Sequence, residues 1–181
     1  MHYEFLINGL LQIVSSVVKL FAQTDRAMRM SLLENLPNFI DHLSVKLVSQ
    51  SIFVHVCTGL LDSQPTMREA TIKSMVLFAP KLGANEMDDL MRHFAKTQLD
   101  EEPGIRTNTT ICLGRISEHM NDATKKRVLV PAFSRALKDP FPPGRIAGIA
   151  AFHATKDVYA PEDVACRILP VLSPLLVDPE L

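Results

Sequence analysis

Three cysteines and six histidines are the residues in this 181-residue sequence whose chemistry would be easiest to detect. A reactive thiol needs a neighbour that lowers its pKa, and a bound metal needs three or four ligands brought to one point. Cys57, Cys112 and Cys166 form no Cys-x-x-Cys pair, so neither a zinc module nor a disulfide framework is written here, and a reducing compartment is expected. His55 and Cys57 could offer an i, i+2 ligand pair, but on a helix such residues point about 200° apart. No third ligand lies near them, and they read as parts of a core helix with a small buried thiol. His93, His119 and His153 recur near expected helix ends at unequal offsets from the arginines described next, and read as surface or helix-end residues. Gly-rich phosphate loops, Gly-x-Ser-x-Gly, His-Glu-x-x-His and the protein-kinase strings Val-Ala-Ile-Lys, His-Arg-Asp and Asp-Phe-Gly are all missing from the sequence. It therefore names no catalytic, cofactor-binding or metal-binding residue, and the expectation is a chain that is not an enzyme.

One polar constellation does recur. "DSQPTMR" (62–68), "DEEPGIR" (100–106) and "DPFPPGR" (139–145) all read Asp-x-x-Pro-x-x-Arg. A convergent ligand site would need these copies at one place, whereas copies this far apart belong to different layers of a stack. Each position instead suits a turn. The aspartate can accept backbone N–H groups, and the proline presets φ for the first turn of a helix. The arginine three residues later can bridge to the aspartate of a neighbouring layer.

The string also sets a ruler. Arg29, Arg68, Arg106 and Arg145 are separated by 39, 38 and 39 residues, and Asp62, Asp100, Asp139 and Asp178 by 38, 39 and 39. Pro65, Pro103 and Pro142 keep the same register, and Leu36, Met75, Leu113 and Phe152 each follow an arginine by seven residues. Pro131 and Pro170 are also 39 apart. A period near 39 is that of paired-helix repeats, and "IFVHVCTGLL", "TIKSMVLFA", "VLVPAFSRAL" and "RIAGIAAF" carry apolar residues at helical spacing. No strand or hairpin pattern competes. The expected fold is all-α, a right-handed α-solenoid of about four and a half HEAT-type helix pairs forming an armadillo-like superhelix in one domain, 1–181. Its units are placed at about 3–43, 51–83, 87–120 and 124–157, with a partial unit at 161–181. Pro131 and Pro170 fall inside first helices, where a kink is expected and where HEAT is favoured over armadillo. "DPEL" stops short of the next proline and arginine, so the chain reads as a piece of a longer protein.

Composition agrees with a packed helical array: 47% of residues are hydrophobic and 22% charged. A formal charge of −1 gives no global basic footprint for nucleic acid or anionic membrane. "KKRV" (125–128) is a small basic cluster without interleaved aromatics, and it reads as a solvated helix start. The apolar run "FLINGLLQIVSSVVKLF" carries Asn8, Gln12, Ser15, Ser16 and Lys19, and reads as an amphipathic or core helix with no membrane insertion.

Between the repeat markers, "FAQTDRAMRMSLLENLPNFIDHL", "REATIKSMVLFAPKL", "IRTNTTICLGRI", "AFSRALKDPFPPGRIAG" and "ILPVLSPLLVDPE" resemble the HEAT-repeat region of the Scy-like (N-terminal-kinase-like) pseudokinase family, from about residue 13 onward. The resemblance implies a parent with a degenerate kinase-like domain before these repeats and a coiled-coil or basic tail after them. It implies an adaptor in COPI-dependent Golgi-to-endoplasmic-reticulum traffic, cytoplasmic and peripheral to the Golgi and the ER–Golgi intermediate compartment, with coat or trafficking proteins as partners. It also implies, as an alternative, a tRNA-binding surface for tRNA export. The family's coat-binding signal belongs to the tail, and no catalytic residue carries over. Within this sequence the partner face is expected on the second helix of each pair, at Glu69, Lys73, Asn108, Arg115 and Arg145, with a purely structural role as the alternative for Arg145, which also sits in the ladder. Self-association is expected through the end helix near Leu169–Leu176.

Overall fold

Proline begins each of the three helices that follow the turn string. Gln64, Glu102 and Phe141 are extended, as a residue before proline prefers, and α4 (Pro65–Phe78), α6 (Pro103–Ile116) and α8 (Pro142–Ala154) start at the next residue. The arginine three residues on is thereby fixed at the fourth helical position. In the first copy there is no proline. Asp25 instead caps α2 (Arg26–Asn35) by accepting the Met28 N–H at 2.7 Å.

The computed structural model describes residues 16–180. The start of the first expected unit and most of the apolar N-terminal run lie outside the described residues, as does Leu181. α1 covers residues 16–21. The first helices of the later pairs are α3 (45–61), α5 (Ala84–Thr97) and α7 (Asp122–Ala136), with α9 (161–177) after them. α3 begins six residues before the expected 51, because Ser44 caps it by accepting the Leu47 N–H at 3.2 Å. No strand occurs among the described residues. The fold is all-α, built from HEAT-type helix pairs.

The two internal prolines behave differently. α7 runs through the exposed Pro131 without a break. In α9 a π-helical turn, Val164–Ile168, ends two residues before Pro170 and widens the backbone where the ring would press on the carbonyl four residues back. α3 carries a similar turn at Val48–Ile52 with no proline after it, for which we have no physical account.

The helices group into two compact units, up to Gly83 and from Ala84. In the first, α2 and α3 both pack on α4. In the second, α6 packs along α8, α7 packs on α6 and α8, and α9 packs on α7. The residues seven past each arginine supply core in both: Leu36, Met75, Leu113 and Phe152 are all buried. Phe152 meets Phe133 of α7 edge-on at 5.3 Å.

Candidate functional site

The four aspartates close their turns in the same way. Asp62, Asp100, Asp139 and Asp178 each accept, through Oδ1, the backbone N–H two residues on, at 2.8, 3.0, 2.9 and 3.0 Å. The arginines then hold the turns from behind. Nη1 of Arg68 donates to the carbonyls of Asp62 and Ser63 at 2.8 and 3.3 Å. Nη1 of Arg106 does the same to Asp100 and Glu101 at 2.8 and 3.0 Å. Nη1 of Arg145 repeats it on Asp139 and Pro140 at 3.0 and 3.4 Å.

The remaining edge of the guanidinium reaches one repeat forward. Nε and Nη2 of Arg106 donate to Oδ2 and Oδ1 of Asp139 at 2.7 and 2.8 Å, a bidentate pair with side chains 17% and 8% exposed. Arg145 places Nε 2.6 Å from Asp178 Oδ2, and its Nη2 donates to Asp178 Oδ1 and Glu180 Oε2 at 2.9 Å each. The hydrogen bonds from Arg106 hold the Asp139 carboxyl below the usual carboxylate range, and Asp139 in return raises the Arg106 guanidinium. Arg145 lowers Asp178 in the same manner.

In the first unit the rung is made by a different residue from the one expected. Arg29 occupies the fourth position of α2, but its Nη2 donates to Thr58 Oγ1 at 2.7 Å and the His55 carbonyl at 3.3 Å. Asp62 is met by Nε of Arg26, at 2.9 and 3.1 Å, with Arg26 Nη2 on Ser63 Oγ at 2.9 Å. The reason is local: α2 has Arg26 where the later helices have proline, so a long cation starts the helix. Burial pushes Asp62 up, but the Gln64 N–H and Arg26 outweigh it and its pKa falls.

The residues expected to face a partner divide. Lys73 is exposed and pairs with the half-buried Glu69 at 2.6 Å. Asn108 is half-buried and Arg115 exposed. Arg145 must be withdrawn from this face: it is 9% exposed, and its Nη1 and Nη2 are taken up by its own turn and by Asp178 and Glu180.

A buried polar network in the second unit was missed by the sequence reading. Thr109 of α6 donates to Thr97 Oγ1 of α5 at 2.9 Å, and Gln98 Nε2 to the Ala132 carbonyl of α7 at 3.1 Å. Arg135 of α7 closes it by donating to Gln98 Oε1 at 2.7 Å. The signal was the pair of threonines in "NTTICLG", polar residues on what would otherwise be a core face; both are buried.

The candidates for chemistry are dispersed. Burial pushes the Cys57 and Cys112 thiols up to about 12, far from a reactive thiolate. Burial lowers the His93 imidazole, with Lys96 and Arg92 adding to the effect. No three metal-ligating side chains converge among the described residues. The basic cluster is interleaved with acids: Arg127 donates to Asp88 at 2.6 Å, and Lys125 lies 4.0 Å from Asp122. Among the described residues no helix is long and apolar enough to cross a membrane.

Against known proteins, the sequence profile of the family described as "PIK3R4-like, middle domain" matches residues 3–181. The chain is 54% identical over 169 residues to the probable inactive serine/threonine-protein kinase scy1 of Dictyostelium discoideum, covering 93% of this chain and 21% of that protein. It is 34% identical over 163 residues to the protein kinase domain-containing protein ppk3 of Schizosaccharomyces pombe, covering 90% and 26%. It is 33% identical over 165 residues to cytoplasmic export protein 1 of Saccharomyces cerevisiae, covering 90% and 22%. The crystal structure of Cex1p matches with a TM-score of 0.84 at 31% identity, over 92% of this chain and 32% of that one. The chain thus spans only 21% to 26% of the length of these curated relatives.

Proposed function

The chain belongs to the PIK3R4-like middle-domain family, with Scy-like pseudokinases among its relatives, and from that premise we propose that it is a protein-interaction scaffold within a pseudokinase adaptor of COPI-dependent Golgi-to-endoplasmic-reticulum traffic. The chain itself is a helical, non-kinase region, and its relatives include a probable inactive kinase. The observation that carries the reading is the surface of α6 and α8. The ladder occupies the polar groups at the turns, yet Ile111, Ile146 and Ile149 remain 44%, 52% and 38% exposed on these two helices. An apolar surface on a rigid helical frame is what a protein partner buries, and repeat arrays spread such contacts over second helices rather than into a pocket.

The test is capture with the purified chain against cytosol, followed by immunoblotting for coat subunits and other Golgi trafficking proteins. Coat or trafficking proteins should be retained by the native chain and lost on Ile146→Asp with Ile149→Asp. Retention of neither removes the scaffold reading, and retention of trafficking proteins without coat subunits removes its COPI component.

A second reading, a tRNA-export adaptor surface, is supported by the match to a protein named for cytoplasmic export and by the exposed Lys126 beside Lys125. Phosphate contacts release counterions, so tRNA affinity should fall steeply with salt. No binding at low salt eliminates this alternative.

A further inference from the structure

Between α6 and α8 lies an open groove of about 210 Å³, floored by Gly114 and Ala147 and edged by Ile111, Ala150 and Ala154. It exists because the two helices meet through small residues: a Cβ on Gly114 would already stand 3.4 Å from the Cβ of Ala151. The volume suits one or two aliphatic side chains, since an apolar cavity of about 150 Å³ accepts a benzene.

Arg115 stands at the rim. Every other arginine donates to a carboxylate, amide, hydroxyl or carbonyl group. Arg115 is exposed and its guanidinium has no hydrogen-bond or ion-pair partner among the described residues. Glu118, one turn on, lies beside His119 instead, at 3.5 Å. The groove is thus apolar throughout except for one unpaired cation at its edge.

We propose that this groove docks a protein segment that inserts an aliphatic side chain between α6 and α8 and sets a neighbouring carboxylate on Arg115. The proposal rests on the scaffold reading and specifies the chemistry of its partner. Charge complementarity selects the acid, because a basic segment would place like charges together at the rim. The apolar floor favours a peptide over a nucleic acid, whose phosphates would gain nothing from the alanines.

The experiment is selection of a random-peptide display library on three forms of the chain: native, Arg115→Glu and Ala150→Trp. Both changes are at exposed positions, and a thermal melt checks that each variant is folded. The native chain should enrich peptides pairing an aliphatic residue with Asp or Glu. Arg115→Glu should bind those peptides roughly tenfold more weakly and turn the selection toward Lys or Arg. Ala150→Trp should fill the groove and abolish enrichment. No enrichment on the native chain, or the same acidic peptides on all three forms, overturns the proposal. So does an Arg115→Glu variant that loses tRNA affinity while its peptide selection is unchanged, for then the cation serves phosphate. If both variants still capture trafficking proteins as the native chain does, the scaffold reading stands and the groove alone fails.

Discussion

Arg106 holds three things at once. It satisfies two carbonyls of its own turn, neutralises Asp139 in the next, and anchors the first turn of α6, which carries the buried Thr109. Removing it leaves a mostly buried carboxylate with the Phe141 N–H but no counter-charge, and takes the guanidinium donor from two turn carbonyls, the situation in which a lost ion pair costs most. We expect Arg106→Ala to cost about 2–3 kcal/mol, against roughly 0.5 kcal/mol or less for Arg92→Ala, whose i, i+3 partner Asp89 is exposed. Thermal unfolding of the two variants side by side checks this; equal melting temperatures remove the ladder as a stabilising device. The pH dependence has a definite sign. Asp139 is lowered in the fold from its ordinary 3.8, so its contribution is present above that value and is lost as the pH falls through the lower folded value. The gap between native chain and Arg106→Ala should therefore be constant near neutrality and close in acid. The Asp-x-x-Pro-x-x-Arg spacing made this residue visible, because turn closure, helix initiation and a forward-reaching cation each need one residue type at one place. It did not reveal that Arg26 replaces Arg29 on Asp62, since that exchange depends on α2 starting without a proline.

At the scale of helices, the period located the pairs because the apolar residue seven after each arginine must turn inward wherever the helix start is fixed. Helix starts without a turn string were less legible: α3 begins earlier than expected because Ser44, outside the repeat ruler, caps it. The groove is not legible in the sequence, although the repeat register puts Arg115 at an outward position. Which alanines face a neighbouring helix depends on the crossing of α6 and α8, and that is a packing outcome. Close approach also makes particular glycines necessary. A Cβ on Gly148 of α8 would lie 2.9 Å from Leu137 Cδ2 and 3.2 Å from both Ala136 Cβ and the Leu137 backbone nitrogen. The backbone cannot yield as a flexible side chain would, so Gly148→Ala should cost about 1–3 kcal/mol by overpacking. Gly104, in the first turn of α6, has nothing within 4 Å of its Cβ position. There the same change should leave stability unaltered or raise it by up to about 1 kcal/mol. Denaturant midpoints for the two variants test the contrast, and equal losses would mean that helix crossing does not set the requirement.

For the molecule as a whole, a helical repeat array derives its stability from neighbours, so an apolar face left in water marks a place where another surface can add. α9 packs on α7 and buries Ile168, yet Leu169, Leu176 and Val177 remain 55%, 88% and 84% exposed. Three large aliphatic side chains on one short helical segment invite burial against a second copy of the chain. Their removal from water contributes roughly 1.5 kcal/mol or more apiece when complete, while ordering two chains costs several kcal/mol, so the association should be weak and concentration-dependent. Sedimentation velocity over a concentration series should show a rising weight-average coefficient for the native chain. Leu176→Glu with Val177→Glu should flatten that rise, because pairing would bury like charges. Neither residue has a packing role in the fold to lose, so the melting temperature of the double variant should match the native chain at low concentration. A coefficient independent of concentration in the native chain, or an unchanged rise in the double variant, would exclude α9 as a self-association surface.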